Sequence, residues 1–292
     1  MRLKKSSVAL AILVLALVGV AHAKDPWKHH YYKVADGTRL HYVEMGKGTP
    51  VILIHGAGGS AVGNWFSNGL VTKLAKTNRV IGIDMRGHAL SEAGPEGGRV
   101  RMPQDVLEFM EQQKITKAHI GGYSMGGGVT LSLLASHPEK FLSAHFGGSG
   151  VTETEEWRDK LPADIQGEAA DEQAARSSYN RIQTERGREV GNNAAAMRRT
   201  ATAGAEGAPA TPRPTPPARP AVDLSKARHI PVLAVNGDHD RPIAKTHRLW
   251  REFHSFHNVV LPGKGHLSAV MEGFVPPEYG KALTDFVVAN NP

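Results

Sequence analysis

The residues best suited to do chemistry are Gly122-Tyr123-Ser124-Met125-Gly126. They follow a strand-like apolar run, Ala118-His119-Ile120-Gly121, and precede a helix-like run from Val129 to Ala135. Strand, sharp turn with a central serine, then helix is the setting of a nucleophile elbow. Such a turn strains the serine backbone and pushes its hydroxyl out beyond the end of the sheet. Gly122 and Gly126, two residues to either side, leave room where strand and helix come close. Ser124 also falls at a helix N-terminus, where unpaired N–H groups and the helix dipole favour negative charge. The chemistry served would be attack by the serine oxygen on a carbonyl carbon. The backbone N–H of Met125, the next residue, would hold the resulting oxyanion.

A serine of this kind needs a base, and the base needs a carboxylate that fixes its tautomer. Both partners are available late in the chain. Ile230 to Asn236 reads as a short strand followed by Gly237-Asp238-His239-Asp240, and Val259-Val260-Leu261 as another followed by Pro262-Gly263-Lys264-Gly265-His266. Both sets lie on loops just past the carboxyl ends of strands, where open α/β sheets place their sites. The chain has 15 histidines, so most must be structural or on the surface. His266 is the candidate base, because it sits in the loop after the last strand-like run. His254 and His257 fall in or beside the preceding elements and suit packed or solvated roles. His239 between two aspartates raises the thought of a metal, but adjacent residues in a tight loop do not converge on one ion unaided.

These segments together resemble the α/β-hydrolase superfamily, from about Tyr31 to Val288, with one weak stretch. Five motifs occur in order. Val51-Ile52-Leu53-Ile54-His55-Gly56 resembles the strand leading to an oxyanion loop, and Asp84 to Ser91 the family's D-x-R-G-H-G-x-S turn. The elbow, the acid loop at Gly237 to Asp240 and the histidine loop at Gly265-His266 complete the set. The resemblance implies a triad of Ser124, Asp240 and His266. It favours Asp240 as the acid on its spacing from Gly237, with Asp238 as the competitor and a solvated turn residue as its plainer role. It implies an oxyanion hole from the amides of Met125 and Ala57, with Gly58 as the alternative to Ala57. It makes Arg86 and His88 loop ties rather than catalytic groups. Ala89 stands where the family has glycine; if that position needs φ > 0, alanine there is strained by ~1 kcal/mol or more.

The elements that must position these groups read as follows. Tyr31 to Val34, an Asp36-Gly37 turn and Arg39 to Glu44 form an opening hairpin. Trp65 to Ala75 reads as helix, Val80 to Ile83 as strand, Met102 to Gln113 as helix and Phe141 to Phe146 as strand. Lys245 to Phe253 and Glu278 to Val288 read as closing helices. Strands alternating with helices predict an α/β fold with a mostly parallel central sheet and helices on both faces. The core should comprise residues 24–150 and 223–292.

Between the two core parts, residues 151–222 break the rhythm, and the resemblance implies a small lid there. Glu153 to Lys160 and Gly167 to Glu185 are polar and helix-capable. The stretch 191–220 is rich in alanine, threonine and arginine, and six prolines fall between Pro209 and Pro220. It has little to bury, so the expectation is a flexible return without regular structure.

The N-terminus reads as a processing signal. Met1 to Lys5 is basic, Val8 to Val20 is apolar, and Ala21-His22-Ala23 fits cleavage before Lys24. The apolar stretch is short for a spanning helix, which needs ~20 residues, so a retained anchor is the lesser reading. The expectation is a secreted or periplasmic protein with signal residues 1–23. No cysteine occurs, so no disulfide and no cysteine-linked lipid contributes. The formal net charge of +7 is scattered rather than clustered with aromatic platforms, which argues against nucleic-acid binding.

What the resemblance implies is cofactor-free, metal-free hydrolysis of a small-molecule carboxylic ester or related acyl bond through an acyl-enzyme. The same triad would serve C–C bond hydrolysis or cofactor-free perhydrolysis, and a silent binding protein could keep the fold. A serine at the elbow argues against dehalogenase and epoxide-hydrolase chemistry, which use aspartate there. Glu153, Glu155 and Glu156 would be available to hold a peptidase substrate's amine.

Overall fold

The computed structural model describes residues 25–95, 98–158, 160–161, 222–271 and 273–292. The expected signal peptide, most of the expected lid and the Pro-rich stretch 191–220 lie outside the described residues.

Eight strands form one sheet in the order β1-β2-β4-β3-β5-β6-β7-β8. They are β1 (Lys28–Lys33), β2 (Arg39–Met45), β3 (Thr49–Ile54), β4 (Asn78–Ile83), β5 (Ala118–Tyr123), β6 (Phe141–Gly147), β7 (Val232–Gly237) and β8 (Phe256–Leu261). β2 runs antiparallel to β1 and β4, while β3 to β8 are mutually parallel. The helices are α1 (Gly98–Gln112), α2 (Met125–Ser136), the short α3 (Glu155–Arg158), α4 (Pro242–Glu252) and α5 (Pro277–Ala289). The chain from Val222 onward rejoins the same sheet, because β7 pairs directly with β6.

The strand alternation of period two sorts apolar side chains onto two faces. Ile52 and Ile54 of β3 pack with Val106, Phe109, Val129 and Leu133 of α1 and α2. Val51 and Leu53 point the other way, toward Trp65, Phe66, Tyr279 and Leu283. With both faces covered, every residue of β5 and β7 is buried. These strands are rigid platforms for the loops at their ends.

Two expectations need correction. Trp65 to Ala75 is not one helix. A π-turn covers Val62–Phe66 and a 3₁₀ turn covers Leu74–Lys76, with Gly69 at φ +78° between them. The Asn68 side chain donates to the carbonyls of Asn64 and Val270 and accepts from Leu70 N–H, so it replaces helical bonding with a local turn. The apolar spacing still identified buried side chains: Trp65, Phe66, Leu70, Val71 and Leu74 all lie in the core. Helix α1 also starts earlier than Met102, at Gly98, and carries Pro103 inside it.

Candidate active site

Ser124 occupies the turn between β5 and α2 with φ +51° and ψ −107°, a region L-residues rarely enter. The close approach that allows this turn is visible at the flanking glycines. A methyl group on Gly122 would strike the Gly126 carbonyl, and one on Gly126 would strike the Ile54 carbonyl. Ser124 N–H donates to Gly147 O at 2.8 Å, which ties the turn to the end of β6.

His266 and Asp240 come to this serine from the loops after β8 and β7. His266 Nε2 lies 2.9 Å from Ser124 Oγ, and His266 Nδ1 lies 2.8 Å from Asp240 Oδ2. With the carboxylate accepting at Nδ1, the neutral ring carries its proton there and offers a bare Nε2 to the serine hydroxyl. Burial by itself raises the proton affinity of Asp240. The hydrogen bond and charge of His266, joined by the charge of Lys245, outweigh burial and hold this carboxyl below its usual range.

Asp238, the competitor for the acid role, faces elsewhere. Its carboxylate accepts from Gly263 N–H at 2.8 Å and Lys264 N–H at 3.1 Å, in the loop that carries His266. It is an exposed turn residue that also clamps the histidine loop. The two loops also touch through backbone, since a Cβ at Gly237 would meet the Lys264 carbonyl.

The oxyanion candidates lie around Ser124. Met125 begins α2, so its amide precedes the helical bonding pattern. In the loop after β3, Gly56 packs close to Ser124. Its amide donates to Asn64 Oδ1 at 2.7 Å, and the Gly59 amide donates to Gly56 O at 3.1 Å. Among the described residues, the amides of Ala57 and Gly58 donate to no protein acceptor, so both stay available to a ligand.

The turn after β4 is a brace for this loop. Asp84 Oδ1 accepts from Ala61 N–H at 2.7 Å, and Asp84 Oδ2 pairs with His41 Nδ1 at 2.7 Å. Arg86 is buried in a two-bond pair with Asp105, at 2.7 and 2.6 Å, and also meets Asp36 at 3.1 Å. His88 packs against His55. Ala89 does adopt a positive φ, +46°, so the turn is kept and alanine bears the strain. None of these groups points at Ser124 among the contacts of the described residues.

Glu153 is likewise committed. It accepts from His247 Nδ1 at 2.8 Å and from Arg251 at 3.2 and 2.9 Å, so it pins the segment after β6 to α4 instead of facing a substrate amine. Among the described residues, no group of three or more His, Cys, Asp or Glu converges as a metal site.

Two groups that contact the candidate residues escaped the sequence reading. The Tyr123 hydroxyl donates to the His266 carbonyl, and Lys245 Nζ lies 2.5 Å from Asp240 Oδ1. A signal for Lys245 existed: a cation in the first turns of α4 opposes the helix dipole, which suggests a carboxylate partner.

A family model for the alpha/beta hydrolase fold matches residues 49–270. A dihydrolipoyllysine-residue acetyltransferase component of an acetoin cleaving system from Pseudomonas putida is 36% identical over 110 residues, which is 37% of this chain and 29% of that protein. A 2-hydroxymuconate semialdehyde hydrolase from Pseudomonas sp. (strain CF600) is 34% identical over 111 residues, or 37% of this chain and 38% of that protein. The chain thus spans well under half the length of these curated relatives. Among solved structures, naproxen esterase from Bacillus subtilis superposes with a TM-score of 0.64 at 19% identity, covering 90% of this chain and 92% of that one. At that identity the likeness speaks to the fold alone. The family match is the broader one: it runs from β3 through the elbow to the histidine loop, and the chain belongs to the alpha/beta hydrolase fold family.

Proposed function

We propose that this protein is an exported serine hydrolase that cleaves carboxylic esters through an acyl-enzyme. The observation that carries the reading is the unbroken hydrogen-bonded chain from Ser124 Oγ through His266 to Asp240. Ser124 attacks the ester carbonyl while His266 Nε2 takes its proton. The amides of Met125 and Ala57 receive the oxyanion. His266 then protonates the leaving alcohol, and Asp240 stabilises the imidazolium in between. Water, deprotonated by the same histidine, attacks the acyl-enzyme and releases the acid. These residues complete the cycle with no cofactor.

A second reading is hydrolysis of a C–C bond next to a carbonyl, favoured by the similarity to a 2-hydroxymuconate semialdehyde hydrolase. Both readings share Ser124. The test is therefore in two parts. Labelling with a fluorophosphonate probe, lost in Ser124→Ala, establishes an activated serine. Turnover of p-nitrophenyl esters of graded acyl length, with little turnover of vinylogous 1,5-diketones, supports the ester reading, and the opposite preference supports the other.

Export rests on the basic N-terminus, the apolar run and Ala21-His22-Ala23. It predicts a mature chain beginning at Lys24, read by intact mass after secretion from a bacterial host. Protein retained in the membrane with Met1 present would point to an anchor instead.

A further inference from the structure

The carboxylate of Asp240 is divided between two partners. Oδ2 faces His266 Nδ1 at 2.8 Å, and Oδ1 faces Lys245 Nζ at 2.5 Å. The lysine also donates to the Gly148 carbonyl at 3.2 Å, in the segment leaving β6. Its backbone carbonyl accepts from Val151 N–H at 2.8 Å, and Gly150 packs directly against it. One residue of α4 thereby joins the acid loop to the end of β6. The pair is well shielded, with side-chain exposures of 17% for Lys245 and 11% for Asp240, so solvent screens it weakly. We propose that Lys245 is a positioning residue for the hydrolysis proposed above. Its ammonium holds Oδ1, so that Oδ2 is presented to His266, and it competes with the imidazolium for the carboxylate charge.

The competition has a direction. With the ammonium present, Asp240 stabilises a protonated His266 less than a lone carboxylate does. The other ionisable groups nearby have partners of their own. Asp238 binds the amides of Gly263 and Lys264, with His239 3.6 Å away. Lys264 donates to Phe274 O at 2.6 Å, and the Tyr123 hydroxyl to His266 O. His55 bonds Gly56 O and Met85 N–H, and His88 packs on it. On α4, His247 and Arg251 hold Glu153. Arg241 adjoins Asp240 in the chain and starts α4 from a left-handed conformation.

The experiment compares pH profiles of kcat/KM for wild type, Lys245→Gln and Lys245→Arg. Glutamine keeps a donor and loses the charge; arginine keeps both. The acid limb of Lys245→Gln should move up by about one pH unit, while Lys245→Arg stays near wild type. The chain contains no cysteine, so Lys245→Cys offers a single thiol. Its thiolate displaces bromide from 2-bromoethylamine and regenerates an ammonium on a stem of lysine length, which should return the limb to its wild-type position. A merely structural lysine would lower the plateau in Lys245→Gln without moving the limb, and that result overturns the proposal. If the neutral variants do not fold, the wild-type enzyme decides: the Nζ resonance of ¹⁵N-lysine-labelled protein should respond as His266 titrates, and an unresponsive resonance overturns it equally. Loss of turnover in Ser124→Ala with an unmoved limb in Lys245→Gln refutes the lysine role alone. Persistent turnover in Ser124→Ala refutes the underlying triad reading.

Discussion

The phenol of Tyr123 donates its hydrogen bond to the backbone carbonyl of His266. Tyr123 precedes Ser124 in the chain, so one strand end supplies both the candidate nucleophile and a grip on its candidate base. The Tyr123 ring is buried and lies 5.5 Å from the imidazole. The 2.9 Å spacing of Ser124 Oγ and His266 Nε2 is therefore held by a local brace rather than by the β8 loop alone.

Tyr123→Phe should preserve the packing and lose the brace. A net loss of about 1 kcal/mol in positioning corresponds to roughly a five- to tenfold fall in kcat. Fluorophosphonate labelling should slow by a similar factor, with little change in thermal midpoint. Wild-type labelling rates in this variant would remove Tyr123 from the positioning scheme.

Ser124→Ala should fold normally and lose ester turnover by about 10⁴-fold or more, because the attacking oxygen is gone. Replacing serine by alanine leaves the strained φ of +51° in place, so stability should change little. Steady-state assay of purified protein checks the first point and calorimetry the second. Turnover within tenfold of wild type would put the chemistry elsewhere.

The two aspartates of the acid loop should separate cleanly. Asp240→Asn strands His266 in the wrong tautomer and should lower kcat by about 10³- to 10⁴-fold. Asp238→Asn keeps one acceptor oxygen for the Gly263 and Lys264 amides, so it should cost about 1 kcal/mol of stability and only a few-fold in rate. The reverse ranking would hand the acid role to Asp238.

Acid should weaken the fold through two buried histidines before Asp84 or Asp240 is involved. Burial lowers His55 and His145 from 6.5 to about 4, against the opposing hydrogen bonds to the Gly56 and Leu233 carbonyls. Below pH 6.5 the unfolded chain binds these protons and the folded chain does not. The stability they contribute is complete above about pH 6.5 and is lost as pH falls toward 4, by about 3 kcal/mol per histidine. Asp84 and Asp240 are held below the ordinary carboxylate value of 3.8, so their contributions persist above it and fade only in stronger acid. Urea unfolding at pH 7, 5.5 and 4.5 should show a falling midpoint, with a shallower fall in His145→Gln. A midpoint constant across that range would contradict the burial argument.

The parts of the site legible in the sequence are those built from local chemistry. Gly122 and Gly126 are needed because backbone passes within contact of each, and glycine at both flanks of a serine shows this without a structure. Asp240 and His266 follow strand ends, and strand ends are marked by apolar runs meeting Gly or Pro. The Trp65 to Ala75 segment shows where such reading stops: its apolar spacing reported burial, while Asn68 and Gly69 set the backbone. Lys245 and Tyr123 were missed for another reason. Their partners lie on other elements, and side-chain direction across elements leaves no trace in periodicity.

Ser124 and His266 stand 142 positions apart, yet touch. Between them the chain adds β7 and β8 to the sheet beside β6, so the contact is non-local and needs those strands in place. Under the proposed mechanism, a chain that has not yet assembled those strands carries the serine without its base. On that mechanism a refolding experiment that follows fluorophosphonate labelling should read the assembly of the sheet rather than the collapse of the core.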